Sequence, residues 1–249
     1  MFNPIAQELL INSTINGQPS DNQTVVFADE TYLTIWIAND PSDNSTRIYG
    51  QHFSDKGTAT GHEFQLGEAT TQRNPDILAL ADGTYVVTWD NGTNILAQKF
   101  SANNVALTEM IVVQDSSSND NPDIALLPNG DIGIVWDSAN SSERGVTLRT
   151  FNTDLVAQTD ATIVAATDIT NTFPQLAVFD DEFVITWDTS TSSNSQVQMQ
   201  RFNSDLTPLG AEFSVAIQAA GNQILPQIAY FSDGGFIAVW EETQSLDGH

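Results

Sequence analysis

Apolar residues along this chain come in short runs, each cut off by Asp, Asn, Gly or Pro. The run "YVVTW" follows "ADGT" and ends at Asp90. Nearly the same text recurs as "NGDIGIVWD", "DDEFVITWD", "SDGGFIAVW" and, near the start, "ADETYLTIW". These runs are rich in β-branched and aromatic residues, which suit a pleated strand. The 3.6-residue period of an amphipathic helix is hard to find. Asp82-Gly83 between two such runs predicts a tight hairpin turn.

The text is a repeat. Trp36, Trp89, Trp136, Trp187 and Trp240 are all the tryptophans, spaced 53, 47, 51 and 53 residues apart. A Pro stands 13 or 14 residues before each later Trp, at Pro75, Pro122, Pro174 and Pro226, with Asn22 in the first copy. We read it as the start of a strand, where a missing N–H is tolerated. Downstream lies a Phe, in "GQHF", "AQKF", "LRTF" and "MQRF", and Phe2 fits the same slot. From Phe to the next Trp takes 34 to 38 residues, whereas Trp to the next Phe varies from 11 to 17. Length variation is thus confined to the loop after each Trp, and variable loops on a constant scaffold are where binding usually lives.

Each copy predicts four strands. In the second they are "PDILAL", "YVVTW", "NILAQKF" and "EMIVVQ". The inner strands are apolar on both faces and must be covered on both, which stacking of blades around an axis achieves. A repeat of about 50 residues with four strands therefore predicts an all-β fold, a β-propeller of about five four-stranded blades. It forms one domain over residues 1–249. A series of β-sandwich modules is the alternative, but sandwiches usually need more residues each; β-helix coils are shorter. The ends do not match a finished ring. "MF" reads as the end of a third strand, "AQELLIN" as a fourth, and the fifth copy stops after its second. The expectation is an incomplete ring cut from a longer array, with neighbouring modules; a five-bladed ring with one three-stranded blade is the other.

The repeat is similar to the propeller-like repeats of very large secreted bacterial proteins that also carry cadherin-like and RTX calcium-binding modules. The matching pieces include "NPDILALADGTYVVTWD", "MQRFNSDLTPLGAEFSV" and "LPQIAYFSDGGFIAVWEE". The resemblance covers essentially the whole chain, but through structural residues. It implies an extracellular or cell-surface, adhesin-like setting and no catalytic residue. The RTX nonapeptide itself is absent.

Charge narrows the partners. There are 32 Asp and Glu against 7 Lys and Arg, for a net −25. Such a surface repels nucleic acid and anionic lipid. No apolar run approaches the roughly 18 residues of a membrane span, and "MFNPIAQELLINSTING" lacks the form of a signal peptide. There is no Cys, which excludes disulfides, thiolate zinc sites and a Cys nucleophile.

The acidic residues supply the candidate sites. Asp90, Asp137, Asp188 and Glu241 directly follow a Trp; the first copy has Ile37 there, with Asn39 and Asp40 following. At strand ends on one face they would form a ring of carboxylates able to take calcium, the candidate cofactor. The competing reading is that they cap loops or Asx-turns. "DSSSNDNPD" adds Asp115, Asp120 and Asp123, without the spacing of an EF-hand. The turn carboxylates Asp29, Asp82, Asp180 and Asp233 sit where a hairpin needs them, so they do not read as a catalytic pair. The arginines are scattered, the sialidase-type Asp-box is unmatched, and three His are too few and dispersed for a triad. Each Trp ends a strand at one fixed position, which favours packing over sugar stacking. The expectation is a non-catalytic module that binds carbohydrate or a surface protein through the post-Trp loops. A propeller glycoside hydrolase or lyase is the alternative, and a structural spacer a second.

Overall fold

The computed structural model describes residues 11–12, 19–40, 42–67, 71–115, 119–139, 144–166, 173–190, 195–215, 221–231 and 234–243. All described regular structure is β. The first sheet holds β1 (Ser20–Val26), β2 (Tyr32–Asn39), β3 (Thr46–Phe53) and β4 (Ala59–Leu66). The second holds β5 (Arg73–Ala79), β6 (Tyr85–Asp90), β7 (Asn94–Phe100) and β8 (Ile111–Asp115). The third holds β9 (Asn119–Leu126), β10 (Ile132–Ala139), β11 (Arg144–Phe151) and β12 (Thr162–Ala166). The fourth holds β13 (Gln175–Phe179), β14 (Glu182–Ser190), β15 (Ser195–Asn203) and β16 (Phe213–Ser214). The fifth pairs β17 (Asn222–Tyr230) with β18 (Phe236–Thr243). Within each, strands run antiparallel in chain order. The expected strands in residues 1–10, at "MF" and in most of "AQELLIN", lie outside the described residues.

The hairpins follow from the turn residues. In the second sheet Gly83 takes φ 81°, and its N–H reaches the Leu80 carbonyl at 3.0 Å. Asp82 Oδ1 accepts from the Thr84 N–H at 2.9 Å, and Asp29 does the same for Thr31 at 3.1 Å. These turn carboxylates thus serve the backbone.

Alternation along the second strands builds the core. Tyr85, Val87 and Trp89 face the first sheet, where they meet Leu33, Ile35 and Ile37. Val86, one position out of phase, faces the third sheet with Ile132, Ile134 and Trp136. Val135 in turn meets Phe183, Ile185 and Trp187. A strand that is apolar on both sides thus serves two seams. Trp36, Trp89, Trp136 and Trp187 are at most 2% exposed, so they are packing residues.

One expectation changes. Pro75, Pro122 and Pro226 do not start their strands; they lie inside β5, β9 and β17. Each sits in a bulge. The register skips between Arg73 and Asp76, between Asp120 and Asp123, and between Ile224 and Gln227, so two residues oppose one Trp. β1 skips in the same place, opposite Trp36. The residue before each Pro, or before Asn22, has positive φ: Asp21 49°, Asn74 47°, Asn121 52°, Phe173 36° and Leu225 54°. A bulge tolerates Pro because its extra residue makes no ladder bond.

Candidate active site at the axis

The first strands lie innermost. β1 borders β5, β5 borders β9, β9 borders β13, and β13 borders β17. The four bulges, with Phe173 and Gln175 at the start of β13, converge on one cavity of about 240 Å³. Its wall is uneven: Asp21, Asn74 and Asn121 give a polar side, and Phe173 and Leu225 an apolar one.

The residue after the Pro, or after Asn22, breaks the repeat. It is Gln23, Gln175 and Gln227 in three sheets, but Asp76 and Asp123 in the adjacent second and third. Asp76 Oδ2 accepts from the Ile124 N–H at 2.9 Å, and Asp123 Oδ2 from the Leu176 N–H at 2.6 Å. The two carboxyls also lie close enough to influence each other's titration. Burial raises the pKa of both. Asp123 rises well above the usual carboxylate range, because the charge of Asp76 adds to its burial. Two buried carboxyls this close disfavour double ionisation, so the pair favours holding one proton between them. Asp123 is 8% exposed and lines the cavity.

Of the residues that the sequence singled out, Asp90 and Asp120 are drawn together by Arg73. Arg73 Nη2 lies 2.7 Å from Asp90 Oδ1 and 3.0 Å from Asp120 Oδ1. Asp90 also accepts from Asn74 Nδ2 at 2.8 Å and from the Gly92 N–H at 2.9 Å. Its oxygens are committed to the bulge and the loop. Burial, then the Asp90 charge, pushes Asp120 up to about 6. Asp137 adds to that field and to the field at Asp188, so these post-Trp carboxyls do sense one another. Burial brings Asp188 to about 7.

Asp40 stands apart, 2.9 Å from Arg47 and bonded to the Ser42 N–H at 2.8 Å. The bonds from Ser42 hold its carboxyl below the usual range. Asn39 and Glu241 are exposed at strand ends. The side chain of Asp115 lies outside the described residues, as do Asp233 and the loop residues 140–143 and 191–194. Among the described residues no three His, Asp or Glu converge into a metal-binding group. Nor is any described helix long and apolar enough to cross a membrane.

No protein-family model and no curated protein matches the sequence. Solved structures do match in shape. The catalytic domain of a GH62 alpha-L-arabinofuranosidase from Coprinopsis cinerea superimposes with a TM-score of 0.59 at 10% identity, over 97% of this chain and 90% of that one. An alpha-L-arabinofuranosidase from Podospora anserina, solved with cellotriose, gives 0.56 at 10% identity, over 89% of this chain and 80% of that one. An endo-1,4-beta-xylanase from Bacteroides thetaiotaomicron gives 0.56 at 9%, over 90% and 84%.

The fold is that of a β-propeller. Each four-stranded sheet is a blade, and the cavity is axial. No sheet joins the fifth blade to the first among the described residues. The neighbours also overturn the expected non-catalytic module that binds through its post-Trp loops, since those three are glycoside hydrolases by their descriptions. The physical reason for that misreading is the slot after the Pro. Asp76 there lies outside both the hairpin turns and the post-Trp loops, and Asp123 reads in sequence as one more oxygen ligand of "DSSSNDNPD". The signal was Pro-Asp in two copies against Pro-Gln in two others.

Proposed function

We propose that this propeller is a glycoside hydrolase acting at its axial cavity, on pentose-containing plant polysaccharide. The observation that carries the reading is Asp123, a buried carboxyl that breaks the repeat and lines the same cavity as Asp21. The activities named for the propeller neighbours support the choice of substrate. Asp123 would give its proton to the glycosidic oxygen as the bond to the anomeric carbon breaks. Asp21, two blades away, would take a proton from the water that attacks that carbon. One acid and one base on opposite sides of a scissile bond is the minimum such chemistry needs. The acid must hold its proton near neutral pH, which burial and the Asp76 charge provide. An extracellular place of action goes with a polymeric substrate.

A specific observation favours a second role for the same carboxyls. Each accepts a backbone N–H from the following blade, as a brace. Asp123→Asn separates the two. The amide oxygen can still accept from Leu176, as Gln occupies this slot in three blades, but the acid is gone. We expect hydrolysis of p-nitrophenyl α-L-arabinofuranoside and of arabinoxylan by the wild type, an at least hundredfold loss of kcat in Asp123→Asn, and unchanged melting. No hydrolysis of either substrate by the folded wild type, or full activity in the variant, overturns the proposal.

A further inference from the structure

A second break in the repeat lies at the other end of the blades. The four-residue turn between third and fourth strands has one geometry throughout. In blades 2, 3 and 4 its last residue sits at Asn104 (φ 64°), Leu155 (61°) and Leu206 (68°). Each donates its N–H back three residues at 2.9 Å. Leu155 and Leu206 pack into the seams behind them. Asn104 instead brings an amide to the seam between blades 1 and 2.

That amide is half used. Its Oδ1 accepts from the Tyr85 hydroxyl at 2.7 Å and lies 2.8 Å from His52 Nε2. An amide oxygen only accepts, so Nε2 carries the hydrogen and His52 Nδ1 presents a lone pair. The His52 ring is fixed by stacking on Phe64, with centroids 5.4 Å apart. Among the described residues no protein acceptor takes the hydrogens of Asn104 Nδ2. Lys99, Thr150 and Arg201 fill the place of His52 in the other blades, and Gly57, Leu155 and Leu206 that of Asn104, so the seam between blades 1 and 2 alone brings these two types together.

Both line an open groove of about 540 Å³, with His62, Thr31, Thr60 and Phe64. The groove lies at the hairpin-turn end of the blades, whereas the axial cavity is lined by the opposite ends of the first strands. Its size is that of a small-molecule site. Its wall offers amides, imidazole nitrogens, hydroxyls, an aromatic edge and the Glu63 carboxylate, which can accept from sugar hydroxyls. That set matches a neutral polyhydroxylated ligand.

We propose that this groove is a second, non-catalytic site that holds a neutral oligosaccharide through Asn104, His52 and His62. The choice of sugar rests on the carbohydrate reading of the axial cavity. A grip remote from the chemistry would raise the local concentration of a polymer at the axis. The test reads binding at the histidines and not turnover, so the two proposals fail separately.

The experiment is NMR of ¹³C-histidine protein in the Asp123→Asn background, titrated with arabinoxylan oligosaccharides. His62→Gln assigns the His62 signal, and Thr150, the natural occupant in blade 3, supplies the assigning change His52→Thr. We expect saturable shifts at both rings and an at least tenfold weaker fit in Asn104→Leu, which restores the residue of blades 3 and 4. His62→Ala, an exposed change, should also weaken binding at least threefold with no effect on melting. No shift at either ring, or shifts that persist equally in Asn104→Leu and His62→Ala, overturns the proposal.

Discussion

Replacing Asp188 with Asn should stabilise the protein, and more so the higher the pH. Asp188 lies near the end of β14, directly after Trp187, and is 1% exposed. Among the described residues its Oδ2 has only a long bond from the Leu225 N–H, at 3.4 Å. Its Oδ1 is buried with no partner among the described residues. Burial therefore lifts its pKa from 3.8 to about 7. Between those values the native state keeps a proton that the unfolded chain has lost. Native stability then falls as pH rises from about 4 to about 7, and the penalty stays constant above that. At about 1.4 kcal/mol per pH unit, the full penalty is at most about 4 kcal/mol. Asn carries no such penalty. The advantage of Asp188→Asn should thus grow by about 2 to 3 kcal/mol between pH 5 and pH 8. Urea unfolding of both proteins at the two pH values measures it, and other carboxyls cancel in the difference. An advantage that is the same at pH 5 and pH 8, or a loss at both, would refute the argument that Asp188 is held protonated by burial.

Two more outcomes follow from the bulges. Arg73→Ala leaves the fully buried Asp90 without its guanidinium, and chemical denaturation should show a loss of about 2 to 4 kcal/mol, allowing for the solvent around Arg73. Leu225→Gly should not raise the melting temperature, because relief of about 1 kcal/mol of strain at φ 54° is offset by the loss of a side chain only 40% exposed and by the freedom Gly adds to the unfolded chain; a thermal melt checks it.

The repeat made most of the fold legible. "NILAQKF" is β7, and "YVVTW" with the following Asp is β6. Apolar residues on both strand faces announced that each sheet would be covered twice, as Val86 and Val87 are. The bulge was not legible, because a Pro without an N–H fits a strand start and a bulge equally. Nor was the fate of Asp90. It stands after a Trp like Asp188, yet Arg73, which meets it, is 17 residues away in sequence. The same motif position pairs one carboxyl with a guanidinium and leaves the other's pKa raised by burial, and only the three-dimensional neighbours decide which. The axial pair was on the page as Pro-Asp against Pro-Gln, a difference of one chemical group in a slot otherwise read as structural. Asn104 was equally visible as an Asn where two later copies write Leu.

The seams have a further consequence. Asp76 and Asp123 each hold the backbone of the next blade, and every described seam joins only consecutive blades. A blade therefore recognises its successor and nothing farther along the chain. A duplicated copy inserted by recombination would meet the same surface on either side as the copy it displaced. Such a chain can change its number of blades in evolution without inventing a new interface. What it cannot duplicate freely is its asymmetry. The acid pair and the Asn104 groove exist only where neighbouring copies have drifted apart, so ancestry supplies the frame and divergence between sister repeats supplies the chemistry.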